Sequence, residues 1–380
     1  MAKIVSMLAF CSLLGACSES SDKPDSKMSL LASGADWWNI SDDAFANEYV
    51  NEAFSEDIEQ QSEVAWMLFA RVNQQVQDQG KTLSVWETWP SNQNTFSPAV
   101  PKFTFDNKVR ARPHLQLPKL MKGMTPKEQL AAPPVNGGEE VTRNMFSYDY
   151  IMAKGLNSKA GVLKFLSGSN TKVDFPIGTV EIKADWETQA IEGAYQFVDT
   201  ENNVTYSLVG LHIMAKMQPT PENPFYSETP SWFWTTFEFK GNPGLANAQN
   251  LITYKDALSS SKAQMLLQQA GLADTAFVNY VSNGTQIRYS DAQHPDIILG
   301  NTKMEAFAGS PDQNDPSTWT KWNSSCHTCH GTTSAKIDTS GSTPMVKFYP
   351  FTVPVGKITY QDIDQYTSMD FVWSIAFYAQ

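Results

Sequence analysis

The chain has 380 residues, 41% hydrophobic and 18% charged, which supplies ample material for a packed core and excludes a disordered chain. With 28 Lys and Arg against 40 Asp and Glu, the net charge is −12. A chain this acidic lacks the basic face that releases phosphate counterions, so nucleic acid is excluded as a partner.

Residues 1–17 contain Lys3, an apolar run from Ile4 to Leu14, and the ending Leu14-Gly15-Ala16-Cys17. A positive start and a short apolar run form an export signal, too short to remain as a spanning helix. The Leu-Gly-Ala-Cys ending resembles the lipobox of bacterial lipoproteins. That resemblance implies cleavage before Cys17 and a diacylglyceryl group on its sulfur. With Ser18 next, it also implies sorting to the outer membrane of a Gram-negative cell, facing the periplasm or the cell surface. Residues 18–36 are polar and Ser-rich, the composition of a flexible tether. No later apolar run reaches the ~20 residues of a transmembrane helix. Cys11 leaves with the signal and Cys17 takes the lipid, so Cys326 and Cys329 remain for other chemistry.

Ser55, followed by Glu56 and Asp57, marks a helix start. Ile58, Ala65, Phe69, Val72 and Val76 share one face and predict a helix that runs to about Gly80. Residues 90–145 are Pro-rich and read as irregular, and Glu139-Glu140 falls in that loop context. From Val180 the period changes to two. Val180, Ile182, Ala184 and Trp186 alternate with charged residues as in a half-buried strand. Tyr206 to Met217 is apolar on both faces, a central strand. Ser231 to Phe239 places Trp232 and Trp234 on one face and Phe233 on the other. Asp256 to Ala270 is helical by pattern. The paired tryptophans suit the packing of a core or of a large flat apolar ligand, with a carbohydrate platform as the rival reading.

Residues 324–330 read Ser-Ser-Cys326-His327-Thr328-Cys329-His330. Cys-x-x-Cys-His is the attachment pattern for c-type haem. Two thiols must bond the vinyl groups on one porphyrin edge, and the next side chain must fall under the iron; one helical turn supplies both. A structural zinc site would need a fourth ligand. A thioredoxin-like pair would need a preceding strand. A disulfide across two residues would be strained. The approach from Gly309 to Pro316 is a loop, and a short helix over 317–325 would present the motif. His327 points away from the iron by spacing and is expected to face solvent. His114 and His294, each beside a proline, read as loop residues.

From about Gly309 to its end the chain resembles a c-type cytochrome. The whole chain also resembles a group of bacterial monohaem c proteins that pair Ser-Ser-Cys-x-x-Cys-His with a terminal Asp370-Phe-Val-Trp-Ser-Ile run. These likenesses imply one covalent haem c on Cys326 and Cys329, with His330 as proximal ligand. The sixth ligand stays open between Met369, Met345 and His212, or the position is unfilled. A Met would favour electron transfer, an open site ligand chemistry.

These readings give an α+β fold: an antiparallel β-rich, sandwich-like core with an N-terminal helix and a C-terminal cytochrome c-like haem segment. The expected organisation is a helical or irregular region at 37–145, a β-rich domain at 146–255 and a haem-binding region at 256–380. The function expected is one-electron transfer by an exported, lipid-anchored protein that meets a redox partner protein and the membrane. The alternatives are a peroxidase-like haem enzyme with an open distal side, where His212 would be the acid–base partner, and a glycan-binding protein with accessory haem.

Overall fold

A computed structural model describes residues 37–78, 80–97, 113, 115, 137–168, 172–226, 231–289, 297–305, 309–311, 319–322, 324–350 and 363–379. All fall in one compact unit that runs from Asp36 to Gln380. The export signal, Cys17, the tether, His114 and His294 lie outside the described residues. The chain begins with α1 (Asp42–Glu48), α2 (Val50–Ala53) and α3 (Ile58–Val72), then a hairpin of β1 (Gln75–Asp78) and β2 (Lys81–Ser84), then α4 (Asn92–Phe96). Next come β3 (Gly137–Arg143), α5 (Met145–Lys154), α6 (Lys159–Leu166), β4 (Val180–Glu187), β5 (Gln196–Asp199), β6 (Val204–Lys216) and β7 (Trp232–Phe239). They are followed by α7 (Leu245–Gln249), α8 (Ser260–Gln269), β8 (Tyr280–Gln286), β9 (Gly309–Pro311) and β10 (Trp319–Trp322). The chain closes with α9 (Cys326–Gly331), β11 (Ser334–Asp338), β12 (Met345–Phe348), β13 (Thr367–Ser368) and α10 (Trp373–Tyr378). The fold is α+β with antiparallel sheets.

The expected N-terminal helix forms but is shorter. Asp57 caps α3 by accepting from Glu59 N at 3.0 Å. The helix stops at Val72 because Asn73 turns its side-chain amide back onto Phe69 O, 2.9 Å away. Gly80, at φ 83°, then reverses the chain between β1 and β2. Val76 therefore lies on a strand, and its helical spacing from Val72 is a coincidence of periods.

A six-stranded sheet with the path β3-β4-β6-β7-β8 forms the frame, and β5 pairs with the start of β6. It draws β3 from the expected first region, β4 to β7 from the second and β8 from the third, so the three share one sheet. Glu139-Glu140 is not in a loop: it lies on β3, buried, because both charges are matched. Glu139 accepts from Lys183 at 2.6 Å and Glu140 from Trp186 Nε1 at 3.1 Å. Those pairings are long-range and leave no local signature.

Register sorts the strands' side chains into two faces. Ile182, Ile213 and Phe237 share a face, and α3 packs on it. There Phe69 stacks on Phe237 with centroids 4.1 Å apart, and Trp66 meets the same ring edge-on at 5.0 Å. Lys183, His212, Met214, Trp234 and Gln286 share the opposite face. It is covered by a mixed layer. Met214, Trp232 and Trp234 join one core cluster with Cys326, Ala335 of β11, Val372 and Ile375. The sandwich-like core is thus one large sheet with a helix on one face and the C-terminal segments on the other. Among the described residues no helix is long and apolar enough to cross a membrane.

Candidate functional site

The approach to the Cys-x-x-Cys-His motif is a strand. Trp319–Trp322 pairs antiparallel with β9, so the helix expected over 317–325 is not formed. Trp319, Thr320 and Trp322 favour an extended chain that finds a partner. Ser325 then caps α9 by accepting from Thr328 N at 3.2 Å, while Gln286 of β8 donates to Ser325 Oγ at 2.9 Å. A helix of six residues is too short to persist alone, so its neighbours hold it. Trp373 Nε1 donates to Cys329 O at 3.1 Å, and His327 Nε2 donates to Trp232 O at 2.9 Å.

His327 is not solvent-facing. It is 0% exposed, and burial pushes its pKa down to about 4, so the ring is neutral near neutral pH. Spacing correctly separates it from the helix face shared by Cys326, Cys329 and His330. What spacing does not reveal is that the sheet lies against the other side.

His330 is half-buried and its Nδ1 lies 2.8 Å from Phe371 O. A carbonyl only accepts, so Nδ1 carries a proton, and in the neutral ring Nε2 carries the lone pair. The imidazole packs on Trp234, with centroids 4.4 Å apart. It lines a cleft of about 600 Å³, open mouth included, together with His212, Met214, Trp234, Trp373 and Phe377. The Cys326 and Cys329 thiols are buried, no disulfide joins them, and neither lines the cleft.

The distal candidates separate by place. His212, on β6, lines the same cleft as His330, and its Nε2 is 3.0 Å from the Glu305 carboxylate. Met369 is 0% exposed in the core cluster and is not among the cleft residues. Met345, on β12, is 64% exposed. Trp232 and Trp234 are 0% and 3% exposed, so they pack inside and offer no surface platform for a sugar.

These residues fit a haem. Two thiols stand at i and i+3 with an imidazole at i+4, the cleft walls are aromatic, and the Trp234 indole N–H, buried in the cleft wall, has no hydrogen-bond partner among the described residues. Such an orphan donor suits a ligand acceptor. Among the described residues no group of three or more His, Cys, Asp or Glu is placed to hold a bare metal ion. A haem needs no such convergence, because the thiols bond the ring's edge while the imidazole meets its centre.

Sequence reasoning passed over Phe371, Glu305, Lys183 and Glu181. Phe371 acts through its backbone, which no side-chain pattern reports. Lys183 and Glu181 line the cleft from β4, and their alternation with Ile182 read as a solvated face. Comparison with family models, curated proteins and solved structures finds no match to this chain.

Proposed function

We propose that the protein is an exported, lipid-anchored monohaem c protein that transfers single electrons to a partner protein. The observation that carries this reading is His330. Its Nδ1 proton is tied to Phe371 O, its Nε2 has the lone pair a metal takes, and it stands one residue after the second of two cysteines, at the wall of an aromatic cleft. A haem bound here would supply one-electron chemistry. Cys326 and Cys329 would hold it by thioethers and His330 would ligate it. Trp234, Trp373 and Phe377 would exclude water from its faces, which with the axial ligands sets the potential.

The test is mass under denaturing conditions after expression with a cytochrome c maturation system. The expected result is the mass of one haem retained after denaturation and acid–acetone extraction. Cys329→Ala should leave at most one thioether. An unmodified mass in the matured wild-type protein overturns the reading. Cys17→Ser should stop lipidation and shift the protein out of the membrane fraction; normal processing and membrane retention in that variant overturn the anchor.

One observation favours a second reading. His212 and Glu305 form a hydrogen-bonded pair at the cleft that His330 lines, the arrangement of a distal acid–base group. Carbon monoxide binding separates the two. An electron carrier with both axial positions filled resists it, and His212→Ala opens the site if His212 is the ligand. Met369→Ala or Met345→Ala opens it instead if a thioether is. Ready binding by the wild-type protein favours the enzyme.

A further inference from the structure

The run from Asp370 to Ile375 is not needed to attach a haem, yet it converges on α9. Met369 N donates to Thr333 O at 2.8 Å, just past the helix. Phe371 O accepts from His330 Nδ1 at 2.8 Å, and Trp373 Nε1 donates to Cys329 O at 3.1 Å. Val372 and Ile375 enter the core cluster that contains Cys326.

The backbone at the centre of this run is strained. Asp370 and Phe371 are consecutive non-glycine residues with φ of 48° and 70°. Left-handed backbone is unfavourable for residues with a Cβ, and such strain persists only where surroundings over-determine it. The Asp370 carboxylate supplies that constraint. It is 7% exposed. It accepts from Lys216 Nζ at 2.8 and 2.9 Å, from Trp232 Nε1 at 3.0 Å and from Phe175 N at 2.7 Å. The donors come from β6, β7 and the loop before β4, three separate parts of the frame. Lys216 is itself buried, and Asp174 lies 3.4 Å from its Nζ. A buried ion pair is weak evidence for stability but a known means of fixing one arrangement.

We propose that Asp370, clamped by Lys216 and Trp232, is a positioning residue that aims the Phe371 carbonyl at His330 Nδ1 and so fixes the tautomer and orientation of the imidazole. The hydrogen bond stands by itself; its consequence for a metal rests on the haem reading above. A carbonyl held on Nδ1–H makes Nε2 a stronger donor, which favours ferric over ferrous iron. Loosening the clamp therefore raises the potential.

The test uses the full-length matured protein, with Asp370→Asn and Lys216→Met made singly and together; the double variant removes both charges and leaves no lone buried ion. Ring nitrogen shifts of ¹⁵N-histidine in the reduced, diamagnetic protein report the His330 tautomer. A redox titration reports its donor strength. The wild type should be Nδ1-protonated with a downfield N–H. Folded variants with haem still attached should lose the downfield shift. At a fixed applied potential their ferric-to-ferrous ratio should fall on the order of tenfold. A variant that melts earlier with these signatures unchanged shows only that the clamp docks the tail, and overturns the inference. A wild-type His330 protonated on Nε2 overturns it even if no variant folds. If the wild-type protein carries no haem, the functional reading fails separately, and the ¹⁵N comparison still decides this one.

Discussion

The two faces of the central sheet are built from alternate residues of the same strands and obey different rules. The face toward α3 is self-sufficient: Phe69, Phe237 and Trp66 meet in well-formed ring contacts. The opposite face buries charge. Glu238 is held by Thr302, Asn242 and Asn283, and burial pushes its carboxyl upward against those hydrogen bonds. On the same face Arg143 is fully buried with Nη1 3.7 Å from the Glu181 carboxylate, and among the described residues its Nε and Trp234 Nε1 have no hydrogen-bond partner.

Substitutions on the two faces should differ in kind. The largest effect on stability is expected from Phe237→Ala. It removes a ring stacked between α3 and the sheet and should cost ~3–5 kcal/mol in denaturant melts, with the spectrum of the folded fraction unchanged. A spectral change would mean that the two faces are coupled. Next is a pair on one strand. Trp232→Phe deletes an N–H bonded to the Asp370 carboxylate and should cost ~1.5–3 kcal/mol. Trp234→Phe deletes an N–H with no partner among the described residues and should cost less, while altering the spectrum or potential if that N–H meets a cofactor. Equal costs would remove the distinction between framework and cleft.

A smaller effect concerns Asp185, on the cleft face beside Glu139. Burial, then Glu139, raises its pKa from 3.8 to about 7. The folded state therefore holds this proton more tightly than the unfolded chain. Its contribution is fully present below 3.8 and is lost as pH climbs to about 7. Asp185→Asn should flatten the decline in stability over that window. An unchanged pH profile of the melting temperature would show that Asp185 titrates normally. Least of all, Met345→Ala on exposed β12 should stay within ~0.5 kcal/mol and leave the spectrum intact. A lost sulfur-to-iron band in that variant would make Met345 the ligand.

Much of the framework was legible. The alternation from Val180 and the unbroken apolar run through β6 identify their strands, because those residues are selected by neighbours one pleat away. The helix near Asp256 to Ala270 appears as α8, capped by Ser259. Three features were misread for a common reason. Glu139-Glu140 on β3, the strand Trp319–Trp322 and the burial of His327 all depend on partners far along the chain. A polar strand whose charges are matched by Lys183 and Trp186 looks like a loop until those partners are in place.

The sequence by itself determined the spacing that puts Cys326, Cys329 and His330 on one face of a helical turn. Only the tertiary structure decided what surrounds that face. It brought His212 rather than Met369 or Met345 to the cleft, supplied Phe371's carbonyl to His330, and tied that carbonyl to a buried Asp370–Lys216 pair. Local periodicity is set by contacts within a turn or a pleat. A cleft is set by which strands pair and which backbone is held under strain, and neither is written in any short stretch of residues.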